Sequence, residues 1–339
     1  MVKELEALKP FYEEAKKRIQ KKKGKVLDAW RPGLGVACGW RNIGYLKTTI
    51  SAGCELDDNG MVHVMAGTVE QGQGPTTQFA QIAADSVGVS MKSVRVTLGD
   101  TLSAPYPVPT FSSITTVGTG KAVQIASEML RERICYAASE ILNVEPSLIK
   151  VENDCVRLSN SETEVSLVEI AEYFKDKGEN SLSESEIKWS GEAPTILYGY
   201  NAGLIELEVN IKTGQVILLN HVNVCDPGTR INPDAVDGQI DGAIAFGVGF
   251  ALSEEFHPDN PPTLKDYGLV SINQIPKEVT RLYVEDPLER GPFGAKSMAE
   301  HPGLSITPAI VNGIADATGA WVCDIPATPD RVMAKMAVV

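Results

Sequence analysis

The stretch "MVHVMAGTVEQGQGPTTQFAQIAADSVGVSMKSVRVTLGD", residues 61–100, decides the fold class. It opens with apolar residues at strand spacing, breaks at a Gly- and Gln-rich turn, and then changes to helical spacing. Pro75 stands near a first-turn position and Gly88 marks the stop, after which "VRVTLGD" returns to a strand. Upstream, "LKTTISAGCEL" (46–56) is strand-like, and "DDNG" (57–60) between it and the next strand signals a hairpin. Downstream, the proline-rich connection 101–111 leads to a long helix spanning about Gly120 to Leu142. Residues 145–195 are richer in Ser and Glu and carry one helix, "VSLVEIAEYF". From 196 to 226 two long alternating strands are joined by the turn "KTGQ". A Gly- and Ala-rich helix (238–256) follows, of the kind that packs its backbone closely on a neighbour. "TPAIVNGIADATG" and "TPDRVMAKM" each place Thr at N-cap and Pro at the first helical position. Residues 3–22 form a charged N-terminal helix with Leu5, Leu8, Phe11, Ala15 and Ile19 as its packing side. The expectation is an α+β protein of mixed sheets with packed helices in two subdomains. Its parts are an N-terminal helix and linker (1–30), a first main part (31–145), a small α/β insertion (146–195) and a second main part (196–339).

The chain has 339 residues, 43% of them hydrophobic, enough to bury a sizeable core. Lys plus Arg is 31 against 44 Asp plus Glu, a net charge of −13. Such a field repels phosphate backbones and acidic membranes, which argues against nucleic-acid binding. The N-terminus is charged from the start and has no signal-peptide core, and no apolar run is expected to reach the length of a membrane span. A cytoplasmic location follows as the expectation. The six cysteines and four histidines are scattered, without C-x-x-C or other ligand spacing. Direct side-chain ligation of a metal, or an iron–sulfur site carried by this chain alone, is therefore not expected.

Two Gly-rich strings carry no nucleotide chemistry. "GLGVACG" (33–39) is out of register for a dinucleotide fingerprint, and "TTVGTGKAV" has Thr115 and Ala122 where a phosphate-binding loop needs Gly and Ser or Thr. In "EQGQGPTTQ", Gln71 and Gln73 alternate with Gly72 and Gly74 ahead of a helix start. This is either a turn with solvated glutamines or a loop whose free N–H groups and amides meet an anion or a polar oxo group. "PTFSSITTVGTG" crowds five Ser and Thr residues into eight positions (110–117) before the long helix, either as a capping loop or as a polar cradle. "CDPGTRINPDAVDGQIDGA" reads as turn, cap and helix, with Asp226 and Arg230 a candidate ion pair. In "GAKSMAEHPG" (294–303), Glu300 stands alone among small and apolar neighbours. A carboxylate in such a setting is expected to be desolvated and basic enough to take a proton near neutral pH.

Taken in order, "RPGLGVACGW", "GTVEQGQGPTTQFAQIAAD", "PTFSSITTVGTGKAV", "VCDPGTRINPDAVDGQIDGA" and "GAKSMAEHPGLSITPAIVNGIADATG" resemble the C-terminal molybdopterin-binding half of the xanthine dehydrogenase/aldehyde oxidase family of molybdenum hydroxylases. The resemblance covers nearly all of the chain from about residue 31. It implies a molybdenum–pyranopterin cofactor (molybdopterin or its cytosine dinucleotide), the metal being held by the pterin dithiolene. Gln73 matches the family's G-Q-G glutamine, flanked by Gly72 and Gly74. Ser112, Ser113, Thr115 and Thr116 match the segment that wraps the pterin, and Gln239 matches the glutamine of the G-Q-x-x-G helix. Glu300 matches the catalytic glutamate, the general base for hydroxylating an electron-poor carbon beside nitrogen or oxygen. Trp40, Arg41, Asn42 and Tyr45 lie where relatives place substrate-facing residues. The family commonly has Gly and Pro around the glutamate where this chain has Ala299 and His301, and Phe246 stands where many relatives have Gln. No counterpart of the family's N-terminal molybdenum half is found in this sequence. The implied partners are a large molybdopterin chain, an iron–sulfur chain and an FAD chain. The implied substrate is a small N-heterocycle, nicotinate- or purine-like, with an aldehyde as the alternative, or a bracing role without chemistry.

Overall fold

The computed structural model describes residues 1–24, 29–44, 47–106, 110–189 and 197–337. Helix α1 (Val2–Lys23) precedes strand β1 (Trp30–Ile43), the hairpin strands β2 (Thr48–Leu56) and β3 (Val62–Ala66), helix α2 (Pro75–Val87) and strand β4 (Val94–Leu98). Helix α3 (Gly120–Leu142) leads to the short strands β5 (Ile149–Glu152), β6 (Cys155–Leu158) and β7 (Glu164–Ser166), helix α4 (Leu167–Asp176) and strand β8 (Ser183–Trp189). Strands β9 (Leu197–Asn210) and β10 (Val216–Cys225), helix α5 (Pro233–Leu252), strand β11 (Glu278–Tyr283) and helices α6 (Ile306–Thr318) and α7 (Pro329–Met336) complete the described elements.

Three sheets result, in the orders β1-β9-β10-β11, β4-β3-β2-β8 and β5-β6-β7. The expectation of an α+β protein with mixed sheets holds, since β3/β4 and β10/β11 are parallel and the other pairs antiparallel. Period-2 alternation along β9 divides the first sheet between two covers. Ala202 and Leu204 pack towards Leu8 and Ala15 of α1, whereas Ile205, Leu207 and Val209 join Ile306, Ala309 and Ile310 of α6 and Ile240 and Ile244 of α5. Gly35 of β1 faces α6 so closely that a Cβ there would lie 1.8 Å from the Ala309 carbonyl oxygen. Helices α2 and α3 cover the second sheet through Phe79, Ile82, Leu130 and Ile134.

Three local expectations change. Helix α5 has 20 residues and a mean hydropathy of 1.2, so one described helix does reach the length and composition of a membrane span. Asp237, Gln239 and Asp241 interrupt the apolar run in its first half, which hides its length in the sequence. One face of it packs into the core through Ile240, Ile244 and Val248, and Asp241 elsewhere on the helix accepts from Arg281 Nε at 3.1 Å. Helix α6 starts earlier than expected, with Ser305 at N-cap, so Thr307 and Pro308 lie inside its first turn. Asp226 and Arg230 do not pair: Asp226 bonds Lys296, and Arg230 Nε donates to Glu285 Oε1 at 2.7 Å.

Candidate active site

A cavity of about 560 Å³ opens between the Gln71–Gly74 turn, the segment 110–116, one side of α5 and the segment 295–300. Gly72, Gln73, Gly74, Ser113, Thr115, Thr116, Gln239 and Glu300 all line it. Gly72 and Gly74 have φ of 99° and 83°, a left-handed conformation that glycine adopts without strain. The Glu70 carboxylate already fills the N-terminal end of α2, accepting from the Gly72 and Gly74 amides at 3.0 Å each. Of the two readings open for this loop, the one with free N–H groups is not realised at Gly72 and Gly74, because a protein carboxylate already occupies their amides. These hydrogen bonds outweigh desolvation and hold the Glu70 carboxyl below its ordinary range. Gln73 bonds within its own turn, its Oε1 accepting from the Gln71 amide at 2.7 Å and its Nε2 donating to the Val69 carbonyl at 3.2 Å.

The hydroxyl segment divides. Ser112 and Ser113 both have positive φ, 56° and 51°, an uncommon backbone for residues with a Cβ. This turns the Ser113 hydroxyl onto Glu300, donating to Oε2 at 2.6 Å. The Ser112 side chain is buried and points away from the cavity, and its hydroxyl has no hydrogen-bond partner among the described residues. Thr116 accepts from Gln78 Nε2 at 3.0 Å, tying the segment to α2.

The other Glu300 oxygen, Oε1, accepts from the Arg41 guanidinium at 2.7 Å. The side chain remains 39% exposed. Burial raises its pKa, but the hydrogen bonds from Arg41 and Ser113 and the Arg41 charge outweigh burial, and the carboxyl is held below its ordinary value. The expectation of a desolvated, raised base is corrected for this chain, because residues 259 and 187 positions away each donate to one of its oxygens. The four candidates for a substrate-facing role also separate. Arg41 pairs with Gly199 across β1 and β9 and lies on the sheet face that meets the Glu300 segment. Trp40 and Asn42 alternate to the opposite face, where Trp40 meets Tyr198 edge-on at 5.4 Å, away from the cavity. Tyr45 lies outside the described residues.

Sequence reading missed the open wall that α5 provides. Gly238 and Gly242, one turn apart, line the cavity, and a Cβ added at either would meet nothing within 4 Å. A glycine inside a helix costs about 1 kcal/mol relative to alanine, and nothing in this chain's packing requires either one. The i, i+4 spacing around Gln239 was the available signal. Among the described residues no group of three His, Cys, Asp or Glu side chains is arranged to hold a metal ion.

Residues 6–276 match the model of a molybdopterin cofactor-binding domain. The chain belongs to that family. It is 30% identical over 316 residues to the probable hypoxanthine oxidase XdhD of Escherichia coli K12, covering 91% of this chain and 32% of that protein. It is 28% identical over 298 residues to the nicotine 6-hydroxylase large subunit of Paenarthrobacter nicotinovorans, covering 84% of this chain and 36% of that one. The crystal structure of the aldehyde oxidoreductase from Desulfovibrio desulfuricans superposes with a TM-score of 0.82 at 29% identity, covering 98% of this chain and 35% of that chain. The chain thus spans about a third of the length of these relatives. Glu300 lies beyond the matched residues 6–276, so its role is argued from geometry.

The cavity fits a pterin-borne metal. The glycines at 72, 74, 238 and 242 leave room for close approach, and Gln239 and the Thr115 and Thr116 hydroxyls offer neutral hydrogen bonds beside it. A metal that brings its own dithiolene needs none of the protein ligands the cavity lacks.

Proposed function

We propose that this chain forms one wall of a molybdenum–pterin site that hydroxylates an electron-poor carbon of an N-heterocycle, with Glu300 as general base. The observation that carries the reading is the position of Glu300: it lines the same cavity as Gln73, Gln239 and the two open helix glycines. When bound, a pterin-held molybdenum supplies a water-derived oxygen nucleophile and takes up the two electrons of the oxidation.

In that setting Glu300 takes the proton released at the nucleophile, and Ser113 and Arg41 aim its two oxygens. Because both partners hold the carboxyl below its ordinary value, it is ionised and ready across the neutral range. Its basicity rises when the open side of the cavity is covered and water leaves the half-exposed side chain. Gln73 and Gln239 orient polar groups without adding charge, and the Gly238–Gly242 wall of α5 admits the cofactor edge. Phe246 and Phe250, 68% and 52% exposed one turn apart, continue that wall outward, which suits burial under a second polypeptide. The proposed partners are a large molybdopterin chain that closes the cavity, and iron–sulfur and FAD chains that carry the electrons away. The cytosine dinucleotide form of the pterin belongs to the same proposal.

The relatives whose names include hypoxanthine oxidase and nicotine 6-hydroxylase support an N-heterocycle as substrate. The likeness to an aldehyde oxidoreductase supports an aldehyde as the second reading. The test is to co-purify the chain with its partners, measure molybdenum, iron and flavin, and compare turnover of azaheterocycles with that of aldehydes. Turnover of aldehydes alone refutes the substrate class, and a complex without molybdenum refutes the whole reading.

A further inference from the structure

The Glu300 segment has a second side, turned away from the cavity and seated on the first sheet. Gly199, Asn201 and Gly203 alternate onto one face of β9, and Asn223 of β10 pairs with Gly203 beside them. The two glycines let the segment approach closely: a Cβ at 199 would lie 2.5 Å from His301 Nδ1, and one at 203 would lie 2.3 Å from Ser305 Oγ. Between them the asparagines, both fully buried, grip its backbone. Asn201 Oδ1 accepts from the Ser305 amide at 3.0 Å, and Asn223 Nδ2 donates to the Pro302 carbonyl at 3.0 Å.

Hydrogen bonding fixes the orientation of both amides. His221 Nδ1 lies 3.0 Å from the Leu204 carbonyl, which can only accept, so Nδ1 carries the proton and Nε2 is an acceptor. Asn223 must therefore turn its NH₂, 3.2 Å from that Nε2, towards His221 and Pro302. Its Oδ1 then faces the donors Asn201 Nδ2 at 2.9 Å and Cys225 Sγ at 2.9 Å. A buried network with its polarity set in this way admits one arrangement, because any flipped amide would bury unpaired donors and acceptors. The anchored carbonyl of Pro302 is two residues from Glu300, and the proline ring restricts the intervening backbone.

We propose that Asn201 and Asn223 are positioning residues for Glu300, acting through the Pro302 carbonyl and the Ser305 amide. This rests on the reading of Glu300 as the base. In the complex with its partner chains, Asn223→Ala lowers kcat at least tenfold, while molybdenum content is kept and KM stays within about twofold. In the full chain alone, Asn201→Ala speeds hydrogen exchange of the Ser305 amide at least tenfold and leaves amides later in α6 unchanged. Coupling decides whether the effect runs through the carboxylate. On a Glu300→Gln background, the single-turnover rate shows no further loss from Asn223→Ala. If the alanine variant fails to fold, Asn223→Leu, which keeps about the same size and removes the donor to Pro302 without adding charge, gives the same comparison. An equal loss on the Glu300→Gln background overturns the proposal, since the asparagine would then act independently of Glu300. Full turnover in Asn223→Ala beside an inactive Glu300→Gln removes this proposal alone. Full turnover in Glu300→Gln removes the base reading and the proposal with it.

Discussion

Acid should weaken this fold over a window set by two enclosed histidines, and His301→Leu should remove about half of the effect. Burial pushes His301 down to about 4, with Lys296 adding to this and Glu300 partly opposing it. Burial pushes His221 to about 4 as well, against the favourable Leu204 carbonyl. Both folded-state values lie below the ordinary 6.5, so the unfolded chain binds more protons in the interval between them. Their contribution is fully present above pH 6.5 and is lost as pH falls towards 4. Each tenfold difference in proton affinity between the folded and unfolded chain is worth about 1.36 kcal/mol, so at pH 5 each histidine has given up about 2 kcal/mol, or about 4 kcal/mol together. Carboxyls held below their ordinary values, such as Glu70 and Asp154, lose their contribution only as pH falls below their ordinary 4.5 and 3.8, at and beyond the acid end of this window. Denaturant unfolding of the full chain at pH 7 and pH 5 reads the difference. The His301→Leu chain should lose about 2 kcal/mol where the parent loses about 4. At pH 7 the substitution should be near neutral or stabilising, because neither ring nitrogen of His301 has a hydrogen-bond partner among the described residues. An identical pH dependence in both chains would show that His301 is not the group that titrates.

Further outcomes follow from the cavity and from the packing beneath it. Gly242→Ala should leave the chain as stable or stabilise it by about 0.5–1 kcal/mol, yet lower the molybdenum bound per complex; unchanged loading would show that α5 does not approach the cofactor. Arg41→Met should raise the Glu300 pKa and move the acid limb of kcat/KM to higher pH; a limb that stays in place would separate Arg41 from the base. Gly35→Ala should destabilise the chain by about 3 kcal/mol or more, because its Cβ would lie 1.8 Å from backbone of α6; a thermal midpoint equal to the parent's would contradict that packing.

What was legible in the sequence was local. The expected span of α3, Gly120 to Leu142, coincides with the helix, and the "DDNG" turn joins an antiparallel hairpin, because caps, glycines and side-chain period act within a few residues. The residues that line the cavity were also within reach, since their motifs each bring a turn or helix start. Partners were not. Arg41 meets Glu300 only because a strand of the first sheet passes beneath a segment 259 residues later. The same long-range assembly lowered a carboxyl expected to be raised, and split Asp226 from Arg230 in favour of Lys296 and Glu285. Strand alternation then turned Trp40 and Asn42 away from Arg41, a consequence of register that neighbouring positions in a motif do not reveal. The buried asparagines 201 and 223 gave no sign beforehand, because an Asn inside an alternating strand looks like a solvent-facing residue until its face is known.

The most direct measurement is turnover of the Glu300→Gln complex, with molybdenum content determined on the same sample. Loss of kcat by orders of magnitude at unchanged metal content is the expected result, because the amide keeps the size of the side chain and cannot take the proton. Parental turnover in that variant would contradict the assignment of the base and, with it, the proposed chemistry of the cavity.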